Sequence, residues 1–517
     1  MQNRAFYSIL NSITDRKRDF MRSSGILMHL SSLPSPRGIG SLGKPAFDFA
    51  DFLAAAGQHY WQILPIGPTG FGNSPYQAVS TYAGSPLYID LDLLAEEGLL
   101  TKEELEAVDW DRGDRTDYDF QLEVRSELLH KAYRRGRDPY AREIRAFRRE
   151  NPWADDYGLF MAIKGSRGGE PWNRWPEEIR FRRRGAVETY ATVNAEEMNY
   201  YIFTQFLFFR QWENLRNDLR KKDIELIGDL PIYVPYDSCD VWMHPELFQL
   251  DEEGLPTAVA GCPPDGFNAD GQLWGNPLYD WDRMKKDDYA WWRERIEAAG
   301  TLFDVIRIDH FRGLESYWSV PYGEETARNG EWIQGPDHDF VRCLREHFPH
   351  LRLIAEDLGF LTPEVLALRE DSGFPGMKVL EFAFDSGEPG DYLPHRYEKN
   401  CICYTGTHDN ETLCQWLGNL SPRARQYMED YLGVEKEPAE SYDRRAAAAV
   451  LRAGMSSVAD TFIAQMQDYL GLGAEARMNE PGTLSSANWT WRLTDESLLT
   501  PELAEKIRNF TARYERI

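Results

Sequence analysis

Residues 305–313 read Val-Ile-Arg-Ile-Asp-His-Phe-Arg-Gly, a short apolar stretch that carries two charges. Its first five residues alternate in the manner of a β-strand, so Arg307 and Asp309 are expected on one face and Ile306 and Ile308 on the other. Because unpaired charges are costly to bury, this pair indicates either a structural salt bridge or a functional site. The surrounding sequence decides between these interpretations.

Eight stretches in the chain have the pattern of strands, and helical patterns lie between several of them. The predicted strands are 25–30, 60–66, 224–232, 302–311, 351–358, 377–384, 401–407 and 461–466. A helix with Phe49, Phe52 and Leu53 on one face follows the first strand, and Thr362 is a predicted N-cap. This repeated alternation is typical of an α/β protein with a (β/α)8 TIM barrel, and a doubly wound open sheet is the alternative.

The connections between these strands differ greatly in length. Residues 1–20 are predicted to be an N-terminal lead-in, and residues 21–517 a single barrel domain. Three insertions are expected in that barrel, a mainly helical one at about 90–209 and loop-built ones at about 233–276 and 471–491.

Composition restricts the possible partners. The formal net charge is -26, which would repel a phosphate backbone, so nucleic acid is not an expected partner. No run of about eighteen apolar residues is present, so we expect no membrane association. The six cysteines include no C-x-x-C pair and no zinc-type Cys/His spacing, which favours reduced thiols in a cytoplasmic protein. The sequence does not indicate which oligomeric state the protein has.

Acidic residues end four of the predicted strands, and these are Asp229, Asp309, Glu356 and Asp409. Because the carboxyl ends of barrel strands open onto one face, the four acids are expected to converge there. A single Asp in such a loop is usually a helix N-cap. Four acids together, beside Arg307 and His408, favour catalysis.

Other chemistries fit the sequence less well. Residues 38–43 match G-x-G-x-x-G, but the loop is displaced from the strand and no acid for a ribose ends the second strand. His clusters for a metal and a G-x-S-x-G elbow are both missing from the sequence. Paired carboxylates acting on a neutral substrate indicate glycosyl transfer.

Several motifs together resemble those of the 4-alpha-glucanotransferases, the amylomaltases or disproportionating enzymes of the α-amylase clan. The resemblance covers about residues 25–491 and rests on segments 25–27, 73–77, 228–234, 263–265, 271–277, 307–313, 355–359, 407–410 and 479–483. It implies a barrel enzyme without a cofactor or catalytic metal. The implied reaction is a retaining, two-step transfer of a segment from an α-1,4-glucan donor to glucose or a malto-oligosaccharide acceptor.

The resemblance also implies residue roles. Asp309 would be the nucleophile, Glu356 the general acid/base and Asp409 the carboxylate that stabilises the transition state. Substrate binding is implied for two groups, one at the cleavage point and one along the glucan chain: Ser74, Tyr76, Gln77, Asp229, Arg307 and His408, and Asp265, Phe267, Trp274, Asn479, Pro481 and Gly482.

Elementary electrostatics agrees with these roles. Arg307 favours an ionised Asp309, whereas Glu356 has no basic neighbour in its strand and would tend to stay protonated. The opposite assignment of the two acids stays open from sequence alone. Two other functions also stay open, an α-glucan hydrolase on the same barrel and a catalytically inactive glucan-binding protein.

Overall fold

Eight parallel strands form the centre of the computed structural model, which describes residues 22–264, 269–438 and 441–517. The predicted lead-in at 1–20 lies outside the described residues. The barrel strands, numbered 1 to 8 along the chain, are Ser23–Leu27, Tyr60–Gln62, Glu225–Leu230, Val305–Ile308, Arg352–Ala355, Gly376–Val379, Cys401–Tyr404 and Thr461–Gln465. All eight predicted strands are confirmed. Each ends earlier than predicted, because buried loop residues such as Leu30 and Leu64 prolong the apolar runs.

The strands pair in chain order around a nearly closed barrel. Strand 1 pairs in parallel with both strand 2 and strand 8, and the hydrogen-bonded order is 6-7-8-1-2-3-4-5. Strands 5 and 6 meet where the Ala355 N–H donates to the Pro375 carbonyl oxygen at 3.0 Å. This arrangement confirms the TIM barrel and not the open doubly wound sheet.

Helices follow most of the barrel strands. The helix predicted after strand 1 is Lys44–Ala55, which buries Phe49, Phe52 and Leu53. The connections from strand 3 onward contain the helices Cys239–Met243, Trp281–Lys286, Ala290–Leu302, Asp337–His347, Pro363–Ser372, Leu413–Asn419, Pro422–Leu432, Tyr442–Ser456, Met466–Leu470 and Pro501–Arg513. Thr362 is the predicted N-cap, since its side chain accepts the Val365 N–H.

The long connection between strands 2 and 3 consists mainly of helices. Its helices are Leu91–Glu96, Lys102–Glu106, Tyr118–Gly136, Ala141–Glu150, Trp153–Ser166, Glu177–Arg180, Arg184–Val193 and Ala195–Lys221. The last of these packs closely on Trp153–Ser166. It also buries Phe203, Leu207 and Trp212, which join the main apolar core. This helical connection is therefore packed against the barrel.

A second sheet, which the sequence pattern did not reveal, flanks barrel strand 4. Its four antiparallel strands lie in the order Gln272–Pro277, Ala258–Cys262, Ser316–Pro321 and Glu331–Gln334. Two of these strands precede barrel strand 4 in the chain and two follow it, so the central pairing, Ala258–Cys262 with Ser316–Pro321, is not local in sequence. Residues 265–268, between the first two strands in chain order, lie outside the described residues.

Membrane-spanning helices are absent from the described ranges, where no helix is both long and apolar enough to cross a bilayer. No disulfide bond is formed by Cys239, Cys343, Cys401, Cys403 or Cys414. The expectation of reduced cysteines is therefore consistent with the structure.

Candidate active site

Arg307 is shared by two carboxylates at the mouth of the barrel. The parallel register of strands 3 and 4 places Asp229 opposite Arg307. One guanidinium nitrogen, Nη1, donates to Asp229 Oδ1 at 2.8 Å and Oδ2 at 2.7 Å, and to Asp309 Oδ1 at 2.9 Å. Arg307 and Asp229 are buried, whereas 26% of the Asp309 side chain is exposed. The predicted charged pair is therefore a triad with one open carboxylate.

Glu356 is bound to the main chain that follows Asp309. Its Oε2 accepts the His310 N–H at 2.7 Å, and its Oε1 accepts the Leu358 N–H at 3.0 Å. His310 has a left-handed backbone with φ of 51°, which turns the chain sharply after Asp309. This turn brings an N–H next to Asp309 onto Glu356, so the two acids are held close together.

Burial dominates the protonation of both acids. Burial raises the pKa of Asp309, and the charges of Asp229 and Glu356 add to this rise while Arg307 opposes it. Burial likewise raises the pKa of Glu356 against the opposing effects of Arg307 and the two backbone N–H bonds. The expectation that Arg307 keeps Asp309 ionised was too simple, because the same guanidinium also neutralises Asp229. One cation facing three carboxyl groups favours retention of a proton.

Asp409 lies in the loop after strand 7 with 44% of its side chain exposed. Its Oδ1 accepts Asn479 Nδ2 at 2.7 Å and lies 3.4 Å from His408 Nε2. Arg477 also donates to the Asp409 carbonyl oxygen at 3.0 Å. Two residues of the third predicted insertion thus fix the Asp409 loop.

Tyr76 connects these groups across the mouth. Its hydroxyl donates to Asp229 Oδ2 at 2.8 Å, and its ring stacks on His408 with centroids 5.2 Å apart. Trp489 lies 5.8 Å from both rings. Burial lowers the pKa of His408, so this wall contains a neutral imidazole. An aromatic wall of this kind suits the apolar face of a sugar.

Ser74 and Gln77 shape the loop that carries Tyr76. The Ser74 hydroxyl accepts the Tyr76 N–H at 3.3 Å. The Gln77 carbonyl oxygen accepts the Gly70 N–H at 2.8 Å. Both predicted residues therefore have loop-forming contacts in this structure.

The predicted glucan-chain residues fall in different surroundings. Trp274 packs edge to face against His310, with ring centroids 4.8 Å apart, which places it beside Asp309. Pro481 and Gly482 lie on an exposed loop next to Asn479. Asp265 and Phe267 lie outside the described residues.

His29 is a site residue that sequence reasoning missed. Its Nδ1 accepts the Leu64 N–H at 3.2 Å, so the proton is on Nε2, which lies 2.9 Å from the Tyr88 hydroxyl. Burial lowers the pKa of His29 to about 3. His29 and His408 line the same small cavity. A lone His at the end of the first apolar run gave no spacing signal that could have identified it.

The space beside the glycine motif at residues 38–43, where a phosphate would bind, is occupied by a side chain of the protein. Asp90 occupies the N-terminal end of helix Lys44–Ala55, where Ser41 Oγ donates to its Oδ2 at 2.7 Å. A Cβ atom on Gly43 would lie 2.2 Å from that oxygen. A carboxylate at this position repels a phosphate, so a dinucleotide does not fit.

A separate group of potential metal ligands lies away from the four acids. Asp288, Cys343 and His347 have ligand atoms within 4.8 Å of one another in the described part of the chain. His347 Nε2 lies 2.7 Å from Asp288 Oδ2, so a hydrogen bond already accounts for two of the three. None of the catalytic candidates belongs to this group.

Comparison with known proteins agrees with the geometry of the mouth. The sequence profile described as 4-alpha-glucanotransferase matches residues 28–499. The chain belongs to the 4-alpha-glucanotransferase family. The match covers most of the barrel and confirms the resemblance that the motifs indicated. The chain is therefore an enzyme of the 4-alpha-glucanotransferase type.

Relatives of this family match over nearly the whole chain. The 4-alpha-glucanotransferase of Clostridium butyricum is 45% identical, covering 95% of this chain and 100% of its own. That of Thermus thermophilus is also 45% identical, with coverages of 96% and 99%. The solved amylomaltase of Streptococcus agalactiae in complex with acarbose has a TM-score of 0.92 and 38% identity, covering 96% of this chain and 99% of its own. The two 4-alpha-glucanotransferases share sequence with the chain over almost its whole length, and the amylomaltase also shares its fold.

Proposed function

We propose that this 4-alpha-glucanotransferase transfers α-1,4-glucan segments with retention, using Asp309 as nucleophile, Glu356 as general acid/base and Asp409 as the electrostatic stabiliser. The observation that supports this proposal most is the contact between Glu356 and the main chain directly after Asp309. Retaining enzymes need their two carboxyl groups closer together than inverting enzymes do. The contact between adjacent strand ends provides that proximity.

In the first step, an ionised Asp309 attacks the anomeric carbon of the donor. The Arg307 ion pair engages Oδ1, so Oδ2 takes no part in it and is the proposed attacking atom. Glu356 gives its proton to the glycosidic oxygen as the bond to the leaving segment breaks. Burial raises the pKa of both acids, which favours the one proton on the pair that this step consumes.

In the second step, Glu356 is a carboxylate and acts as general base. It removes the proton from the 4-OH of the acceptor sugar, whose oxygen attacks the anomeric carbon and releases Asp309. The two displacements restore the original configuration and return the proton to Glu356, so the enzyme ends as it began. No cofactor takes part in this scheme.

Asp409 stabilises the positive charge that develops on the sugar ring in each step. Its carboxylate is partly exposed and is oriented by Asn479 and His408. A fixed anion in a partly water-excluded site lowers the energy of an oxocarbenium-like state without transferring a proton. Tyr76 and His408 support the same sugar from the aromatic wall.

Transfer requires that a sugar hydroxyl reach the intermediate before water does. Aromatic surfaces at the mouth, Trp274 beside His310 and the wall of Tyr76 and Trp489, favour a sugar over water at this position. The proposed donor is a malto-oligosaccharide or starch-like glucan, and the acceptor is glucose or a malto-oligosaccharide. A cytoplasmic location is part of the same proposal. So is a single catalytic domain with one mainly helical insertion and two loop-built ones.

Incubation of the purified protein with maltotriose tests this function. The proposal predicts glucose together with oligosaccharides longer than maltotriose, whereas an α-glucan hydrolase gives only shorter products. An inactive binding protein would leave maltotriose unchanged. Asp309→Asn is the matched control, and it should abolish both transfer and hydrolysis because the nucleophile is lost.

A further inference from the structure

Two exposed aromatic side chains lie on segments that follow barrel strands 4 and 5. Trp332 belongs to the strand Glu331–Gln334 of the second sheet, and Phe360 lies in the loop after Glu356. Their relative exposures are 40% and 75%. Neither residue belongs to the site described above. Large aromatic surface left in water next to an active site is a feature of ligand contact surfaces.

Arg312 joins these two aromatics to the catalytic strand ends. Arg312 follows Asp309 by three residues and is itself buried. Its guanidinium lies over the Trp332 ring, 3.9 Å from the centroid, and its Nη1 donates to the Phe360 carbonyl oxygen at 2.7 Å. A second nitrogen, Nη2, donates to Ser316 Oγ at 3.0 Å. Arg312 lies over one face of the Trp332 ring, and the part of the ring that stays exposed is available to a ligand.

Phe360 lies close to the general acid/base along the chain. It follows Glu356 by four positions, so their Cα atoms are at most about 14 Å apart. Gly359 has a left-handed backbone with φ of 85°, and the chain turns there after the Leu358 N–H has bound Glu356. The largely buried Glu356 and the exposed Phe360 therefore face different environments. A sugar that contacts Phe360 is not the sugar at the cleavage point.

We propose that Trp332 and Phe360, held together by Arg312, form an acceptor platform that binds the sugars of a malto-oligosaccharide acceptor beyond the first. This inference rests on the proposed function. The apolar faces of glucose rings stack on aromatic side chains, and the platform presents two such side chains on the side of Glu356, where the leaving segment departs and the acceptor enters. It selects acceptors of more than one sugar and leaves the donor sugar at Asp309 untouched.

Acceptor kinetics with a glycosyl fluoride donor test the platform. The donor is maltotriosyl fluoride blocked at its non-reducing 4-OH, so that it cannot act as an acceptor itself. Fluoride release without added acceptor then reports the first step and hydrolysis alone. Trp332→Ala and Phe360→Ala should keep this rate but raise the KM for maltotriose as acceptor by about three- to tenfold, the loss expected for one aromatic contact. The KM for glucose as acceptor should change by less than about twofold, since glucose does not reach the platform. Tyr322→Ala is the matched control, because Tyr322 is an exposed aromatic next to the same sheet.

The outcomes separate the platform from the function itself. An unchanged KM for maltotriose in both variants, or an equal rise for glucose and maltotriose, would overturn the platform. Absence of any transfer product from the native enzyme would instead refute the proposed function. Phe360→Ala keeps the backbone carbonyl that accepts from Arg312. If thermal unfolding shows that Trp332→Ala is misfolded, the acceptor KM values of Phe360→Ala alone test the platform. Restoration of the maltotriose KM by Phe360→Trp would support stacking.

Discussion

Replacing Asp229 by Asn is expected to shift the pH profile of kcat/KM toward lower pH. One nitrogen of Arg307 lies 2.8 Å from Asp229 Oδ1 and 2.9 Å from Asp309 Oδ1. These two oxygens are therefore no more than about 6 Å apart, and at an effective dielectric constant of about 20 two such charges repel by about 3 kcal/mol. Removing one of them should lower the pKa of Asp309 by about two units.

The direction follows from the protonation state that the reaction needs. The active pair holds one proton between Asp309 and Glu356, so activity falls when both are protonated and again when both are ionised. Loss of the Asp229 charge stabilises both anions, and both limbs of the profile therefore move to lower pH. The Asn carbonyl can still accept from Arg307, which keeps the site assembled.

Initial rates of glucose release at low maltotriose concentration, measured across the pH range, give this profile. The pH values of the two limbs are compared, and not the maximal rates, because Asp229→Asn also weakens sugar binding. Asp240→Asn is the control. Asp240 is a buried carboxylate that accepts the Thr81 N–H at 2.9 Å and is not one of the two carboxylates that share Arg307. A profile for Asp229→Asn that is unmoved or shifted to higher pH would refute the electrostatic reasoning.

Two further pairs of variants test the site and the barrel. Tyr76→Phe removes a hydrogen bond to the charged Asp229 and should lower kcat/KM about 10- to 100-fold. Tyr404→Phe removes a bond to the neutral Gln62 amide oxygen, and a comparable loss there would contradict the role of Tyr76. Gly228→Ala places a Cβ atom 2.2 Å from the Phe303 ring and should lower the free energy of unfolding by about 1–3 kcal/mol. Gly418→Ala, in open space within helix Leu413–Asn419, should raise the free energy of unfolding by about 0.5–1 kcal/mol. Thermal unfolding measures both changes. Equal stability of the two variants would argue against the close packing of Gly228 on Phe303.

The barrel and the position of its acids could be predicted because both depend on local pattern. Alternation of apolar residues predicts strands such as Val305–Ile308. Because the carboxyl ends of all barrel strands lie on one face, Asp309 and Glu356 are then expected close together. The strand ends were predicted too far along the chain, since burial of loop residues such as Leu64 has the same apolar signature as a strand.

Features that depend on contacts distant in sequence could not be predicted. The second sheet pairs Ala258–Cys262 with Ser316–Pro321 across barrel strand 4, and no local pattern specifies that partner. Asn479 reaches Asp409 across 70 residues. The raised pKa of Asp309 arises from burial and from sharing Arg307 with Asp229, and neither is visible in a single strand.

The roles of the two acids are tested most directly by trapping the glycosyl-enzyme. Glu356→Gln should still react with maltotriosyl fluoride, because fluoride leaves without a proton, and should then release the sugar slowly because the general base is missing. Mass spectrometry of the digested protein should find a maltotriosyl group on the peptide that contains Asp309. A label on Glu356 in the Asp309→Asn enzyme, with none on Asp309 in Glu356→Gln, would contradict the account and reverse the two roles.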